Sequence, residues 1–218
     1  MFSGIISDLG TVRRTVRQNG ITKMTIQGKQ GFKGFELGES ISVNGVCLTV
    51  SNCDEDTFTV DLGNETLSRT SFKNISEGAL VNLERSVTPS DKICGHFVSG
   101  HVDCTGSIAS IEHKSGEVLF RFEHPSEYVP YIIEKGSVAI DGISLTAFSC
   151  VDSGFTIAII PFTFSHTNLN IRKIGDTVNI ECDMIGKYIY KACETILFSD
   201  DADKRASIEL LRRQGFVK

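Results

Sequence analysis

Displacing the 218-residue chain against itself by 97 positions lays residues 38–84 on residues 135–181 without a gap, and 14 of the 47 aligned pairs are identical. A repeat of this length constrains architecture before any secondary structure is considered, because both copies must solve the same packing problem. The agreement follows structure rather than composition. Ser40-Ile-Ser-Val-Asn-Gly-Val-Cys-Leu-Thr49 falls on Ser137-Val-Ala-Ile-Asp-Gly-Ile-Ser-Leu-Thr146, with apolar residues on apolar positions and Asn44-Gly45 on Asp141-Gly142. Phe58-Thr59 falls on Phe155-Thr156, Thr66 and Ser68 on Thr163 and Ser165, and Val81, Asn82 and Glu84 on Val178, Asn179 and Glu181. At a displacement of 96, Ser3-Gly4 meets Ser99-Gly100 and Gly10 meets Gly106. The expected organisation is one unit over 1–96, a second over 97–186 and a tail over 187–218.

Within each unit the hydrophobic period is two. Thr57 to Leu62, the phenylalanines of Val118 to Glu123, and Val178 to Cys182 alternate as half-buried strands do. Asn-Gly and Asp-Gly between such runs signal tight hairpins, since both turn residues must tolerate positive φ. Several short strands per unit without helical patterns predict an all-β fold of small closed barrels or sandwiches, and closure removes exposed edges. The tail differs. Ile189, Ala192, Cys193, Ile196 and Leu197 recur at spacings of three and four, which predicts an amphipathic helix. Ser199 or Asp200 is the candidate cap of a second, more polar helical stretch through Arg213. The helix has two readings: packing on its own barrel, or a seam between copies.

Charge and motifs exclude several classes of function. Twenty-two Lys and Arg against 27 Asp and Glu give a net charge of -5, the wrong sign for a phosphate-backbone binder. No window approaches the ~18 apolar residues of a membrane helix. The start, Met1 to Asp8, lacks a basic region and a useful apolar run, so it does not read as a signal peptide. Seven cysteines without framework spacing predict reduced thiols and a cytoplasmic protein. There is no phosphate loop, dinucleotide fingerprint, His-Glu-x-x-His or nucleophile elbow, so no cofactor is expected. Cys94, His96, His101 and Cys104 gather two thiols and two imidazoles, but not at zinc-site spacing, and no metal is expected. His113, His124 and His166 read as surface residues.

The opening Met-Phe-Ser-Gly-Ile-Ile, the Asn-Gly-Val-Cys-Leu-Thr turn, the Ser-Gly-His-Val start of the second unit and the Asp-Gly-Ile-Ser-Leu-Thr turn together resemble the riboflavin synthases, the lumazine-binding two-repeat family, over residues 1–186. The resemblance implies two tandem six-stranded Greek-key barrels followed by a C-terminal helix that helps assemble a homotrimer. It implies cofactor-free dismutation of two 6,7-dimethyl-8-ribityllumazine molecules. One gives a four-carbon unit to the other, yielding riboflavin and 5-amino-6-(ribitylamino)pyrimidinedione. Two substrate copies call for two copies of a binding unit, and holding them in register supplies rate through proximity. A partnership with lumazine synthase is a further expectation. Non-catalytic antenna proteins of the same fold are the alternative, but they look altered at the Ser-Gly-His and second Ser-Leu-Thr motifs that this chain keeps.

Carried over by motif, the first-barrel shell is Gly4, Ile5, Ile6, Ser40, Cys47, Leu48, Thr49, Asp61, Leu62, Gly63, Asn64, Glu65 and Thr66. The second is Gly100, His101, Val102, Lys135, Ser144, Leu145, Thr146, Ile160, Pro161, Phe162, Thr163, Phe164 and Ser165. The shells differ where donor and acceptor must be treated unequally: Cys47 aligns with Ser144, Ile5 with His101, Glu65 with Phe162. His101 is the expected proton carrier, because an imidazole works in both directions near neutral pH. Cys47, Ser40 and water are the candidates for supplying or positioning the nucleophile. Asp183 matches an acidic position of the family that assists catalysis or simply ends a strand.

Overall fold

The structure is a computed structural model that describes residues 1–18, 20–29, 31–198 and 209–214. In the first half, strands β1 (Asp8–Gln18), β2 (Ile21–Gly28), β3 (Ser40–Val43), β4 (Val46–Cys53), β5 (Thr57–Leu62) and β6 (Leu80–Arg85) close an antiparallel barrel in the order β1-β2-β5-β4-β3-β6, with helix α1 (Asn64–Arg69) after β5. The second half repeats it with β7 (Cys104–Lys114), β8 (Glu117–Glu123), β9 (Ser137–Ile140), β10 (Ile143–Thr146), β11 (Phe148–Val151), β12 (Gly154–Ile159), α2 (Pro161–His166) and β13 (Thr177–Cys182). Helix α3 (Met184–Phe198) follows, and residues 209–213 are also helical.

The halves differ in one respect from the expected pair of six-stranded barrels. The segment matching β4 is broken at Ala147 into β10 and β11, so the second sheet has seven strands in the order β10-β9-β13-β7-β8-β12-β11. The second sheet is thus open where the first is closed, although Ala147 keeps its bonds to the loop before β9. Its N–H donates to Gly136 and its carbonyl accepts from Lys135, as Val50 pairs with Glu39 and Gly38. The break lies beside Ser149, a non-glycine residue at φ 49°.

Both turns form as the sequence predicts. Asn44 and Asp141 each sit at φ 45°, followed by Gly45 and Gly142 at φ 79° and 81°, which is the geometry that joins two strands without splaying them. The two turns meet back to back. A Cβ on Gly45 would lie 2.7 Å from the Gly142 nitrogen, and one on Gly142 2.7 Å from the Gly45 nitrogen, so close approach as well as φ requires glycine.

Inward positions fill two separate cores, one around Met24, Ile41, Phe58, Val60 and Leu83, the other around Phe120, Phe122, Phe155, Ile157 and Ile180. Alternation holds in β5 and β8 but fails in β6 and β13, where the polar residues are buried too. Asn82, Glu84, Asn179 and Glu181 are at most 3% exposed. These outward faces lie against the other half. The Asn82 amide donates to the Asp141 carbonyl (2.9 Å), and the Asn179 amide to the Asn44 carbonyl (2.8 Å). Buried amides are stable there because each finds a partner across the boundary.

Candidate functional site

The site begins with the segments that precede the two barrels. Phe2 and Val98 form an antiparallel bridge, with N–H···O distances of 2.8 and 3.0 Å. Beyond it the segments cross. The Gly4 carbonyl accepts from the Ser144 N–H of the second barrel, and the Gly100 carbonyl accepts from the Cys47 N–H of the first, each at 2.8 Å. Ile6 packs on the second core and Val102 on the first. A side chain at either glycine would collide with the opposite barrel: a Cβ on Gly4 lies 2.6 Å from Ser144 Cβ, and one on Gly100 lies 2.4 Å from Cys47 Cβ.

Two buried carboxylates hold this crossing. Glu84 Oε1 accepts from the Ser3 N–H and hydroxyl, both at 2.7 Å, and Oε2 from the Gly4 N–H at 3.1 Å. Glu181 repeats the clamp on Ser99 and Gly100 at 2.6, 2.7 and 3.0 Å. Burial pushes both carboxyl pKa values up, and the clamp bonds pull them back because they favour the charged form. Each barrel's last strand thus grips the segment that completes its neighbour's mouth.

The first mouth opens into a cleft of about 740 Å³. Cys47, Thr66, Gly100, His101 and Val102 line it, together with Tyr128 and with Lys187 and Tyr188 of α3. The lining residues include none from 143–146 or 160–165. The second mouth carries Ser144 beside Gly4, and here a further imidazole enters. His96 Nδ1 lies 2.7 Å from Ser144 Oγ, while its Nε2 is buried without a protein partner among the described residues. Burial pushes the His96 pKa down, and the Asp183 carboxylate pulls it partly back, so the neutral ring dominates at neutral pH.

A duplicated motif whose segments cross between the halves, with one ligand-sized cleft at the first mouth, is matched by what the sequence is similar to. Residues 3–86 and 99–183 each match the lumazine binding domain. The riboflavin synthase of Actinobacillus pleuropneumoniae is 41% identical over 99% of this chain and 100% of its own. That of Bacillus subtilis (strain 168) is 42% identical over 88% and 89%. This chain belongs to the riboflavin synthase family.

At the level of fold, the family's two-domain architecture also matches LumP solved with 6,7-dimethyl-8-(1'-D-ribityl) lumazine, at TM-score 0.76 and 21% identity over 84% of this chain and 99% of that one. LumP with riboflavin gives a TM-score of 0.78 at the same identity and coverage.

Against the riboflavin synthase resemblance, the structure regroups the expected shells. Gly4, Ile5 and Ile6 belong with Ser144 rather than with Cys47, and Gly100, His101 and Val102 with Cys47 rather than with Ser144, because the segments cross after the Phe2–Val98 bridge. His101 and Cys47 therefore line the same cleft. Ser40 pairs with Thr49, and Cys47 lies two residues from Thr49, so the three share the outer face of β3 and β4. Leu48 and Leu62 point into the first core at 6% and 0% exposure, which leaves only their backbone for a ligand. The Asp61 carboxylate is engaged by Lys23 Nζ (2.8 Å) and Ser51 Oγ (3.1 Å). Gly63, Asn64 and Glu65 are exposed at the start of α1, and Thr66 is half-buried at the cleft.

In the second half, Lys135 stands at φ 64° where the first half has Gly38, with Nζ 4.8 Å over the Phe148 ring. Thr146 is exposed and Leu145 half-buried against the core. Ile160 and Phe162 are 60% and 68% exposed, Pro161 opens α2, Thr163 and Phe164 are half-buried, and Ser165 donates to the Phe162 carbonyl at 3.1 Å. Asp183 accepts from the Ile185 N–H at 3.0 Å and so caps α3. The loose Cys-His cluster is dispersed: His96 goes to Ser144, and Cys104 lies in the second core, where burial pushes its thiol up to about 12. Among the described residues no three His, Cys, Asp or Glu side chains converge as metal ligands. His113 and His166 are exposed, and His124 is half-buried. On α3, Ile189, Ala192 and Cys193 are exposed rather than packed on a barrel. The candidate caps Ser199 and Asp200 lie outside the described residues.

Sequence reading missed His96, Glu84, Glu181 and Lys187. The glutamates carried a signal, as identical partners across the repeat at positions where the strand pattern asks for exposure. His96 and Lys187 carried none from the repeat, since neither has a counterpart of its kind in the first half.

Proposed function

We propose that this chain converts two 6,7-dimethyl-8-ribityllumazine molecules into riboflavin and 5-amino-6-(ribitylamino)pyrimidinedione. The observation that carries this reading is the crossing, in which each duplicated half lends its leading segment to the other; in this reading each half accepts a copy of the same substrate. The products together contain the atoms of the two substrates, so the reaction needs no external oxidant or reductant and the chain's own residues supply the chemistry.

In this reading, strand edges and hydroxyls at Thr49, Thr66, Ser144 and Thr146 meet the ring edge and the ribityl chain. His101 takes the proton from the acidic C7 methyl of one lumazine and later returns it. Cys47 shares the His101 cleft and positions the attacking group. Ser144, bonded to His96, performs the corresponding task for the other lumazine. The family resemblance implies that the two lumazines meet between the first mouth of one copy and the second mouth of another, and the lining of the first cleft, without a residue from 143–146 or 160–165, fits that arrangement. Exposed Ile160, Phe162, Ile185 and Ile189 support such an assembly, with residues 1–96 and 97–186 as binding units and 187–218 as the element that joins a homotrimer. A cytoplasmic setting fits seven free thiols. Association with lumazine synthase would hand over the substrate directly.

The test is incubation of the purified chain with the lumazine while following absorbance and product stoichiometry. One riboflavin for every two lumazines consumed supports the proposal. Tight retention of lumazine without conversion would move the chain to the antenna-type alternative.

A further inference from the structure

The two crossing segments are held unequally. Residues 3–6 are gripped by Glu84, and residues 99–102 by Glu181 in the same way. Only the second segment continues into an anchored carboxylate. Asp103 Oδ2 accepts from the Cys182 N–H at 2.8 Å, and its two oxygens accept from Lys187 Nζ at 2.9 and 2.7 Å. The Tyr128 hydroxyl donates to the Asp103 carbonyl at 2.9 Å, and the Asp103 N–H donates to Ile180 at 3.0 Å. In the first half the aligned positions are Ser7, whose N–H likewise donates to Leu83, and Ser90, which cannot form an ion pair.

The Lys187–Asp103 pair is not an ordinary surface contact. Its side chains are 30% and 19% exposed, and the carboxylate is already oriented by a backbone N–H, so little side-chain freedom remains to be lost. Lys187 belongs to the first turn of α3, whose start is capped by Asp183. Met184, Lys187 and Tyr188, spaced three and four apart, place one helical face along the cleft, while Tyr190 meets Tyr131 edge-on at 5.1 Å.

We propose that α3 belongs to the first-barrel site, and that Lys187 is a positioning residue which, through Asp103, holds the His101 segment over Cys47. The helix that presents its apolar face outward thereby also sets the geometry of the proton carrier. Anything that fixes α3, including a second copy of this chain, tightens this mouth.

The part concerning turnover rests on the proposed function; the tether itself does not, and hydrogen exchange separates them. In the full chain, Lys187→Met is expected to raise amide exchange in residues 99–103 about tenfold, as a locally opened segment does, and to leave residues 3–6 unchanged. Turnover should fall about tenfold with KM within about twofold, since misplacement of a reacting group acts on kcat. Lys187→Arg should restore both, and Asp103→Asn combined with Lys187→Met should cost no more turnover than either alone. Unchanged exchange at 99–103 overturns the tether. Faster exchange with unchanged turnover, or additive losses, overturns the positioning role. Faster exchange in a chain whose unaltered form never converts lumazine leaves the tether standing and removes the proposed function instead.

Discussion

The first mouth is polar and braced: Cys47 and His101 share a cleft with Lys187, and the segment over it is tied by Glu181, Asp103 and Tyr128. At the second, Ile5, Ile160 and Phe162 are exposed, and the hydroxyl of Ser144 is bonded to an imidazole from the linker. Both rest on the same duplicated frame, down to clamp distances that agree within 0.1 Å. Much of the inequality therefore comes from outside the duplicated unit, from residue 96 and from α3. A dismutation asks for this arrangement, because identical ligands must be bound alike and treated differently.

The comparison breaks most sharply at His101. His101→Ala should reduce turnover by about 10² or more, the scale of a lost general acid-base group, with at most modest loss of lumazine binding. Turnover unchanged in a steady-state assay would falsify its assignment to proton transfer. The crossing comes next. Gly100→Ala should weaken lumazine at the first mouth and Gly4→Ala at the second, each by about tenfold, because the added methyl displaces the opposite barrel and the positive φ strains it further. A two-site fluorescence titration reads this. Loss at the first mouth on Gly4→Ala would restore the uncrossed grouping that the sequence suggested.

A smaller effect is expected at the clamps. Glu84→Gln and Glu181→Gln should each lower unfolding free energy by about 2 kcal/mol, since an amide cannot accept all three buried donors, and the two losses should add. Glu181→Gln should cost more turnover, as it frees His101. Chemical denaturation with parallel assays measures both.

The smallest effect is the pH response of His96. Its folded pKa lies below the ordinary imidazole value, so the unfolded chain binds the proton more readily and stability is lost as pH falls below about 6.5. Glu84 and Glu181 act in the opposite sense, with raised pKa values that cost stability as pH rises through the carboxylate range. The useful quantity is the difference between the unaltered chain and His96→Gln, in which the carboxylates cancel. Thermal midpoints of the two should converge between about pH 7 and 5. Parallel curves would place the His96 ring outside the buried network.

Sequence reading reached far in some places and stopped short in others. Both tight turns and the strands over residues 57–62, 118–123 and 178–182 follow from local pattern, and the lumazine-binding repeat follows from motif. It failed at β6 and β13, where Asn82, Glu84, Asn179 and Glu181 look like solvent-side residues and are instead the joint between barrels. Period-two alternation reports which side of a strand faces its own core, but carries no information on what covers the other side.

The chain's order of residues by itself determined duplication, the two tight hairpin turns and the chemical types available in each half, because turns and strand faces are set by neighbours a few positions apart. Only the tertiary structure decided which segment serves which mouth. Gly4 reaches Ser144 across 140 positions and Gly100 reaches Cys47 across 53, contacts fixed by the docking of one barrel on the other. Their specificity resides in buried carboxylates and back-to-back glycines whose partners exist only once the two halves have folded and docked.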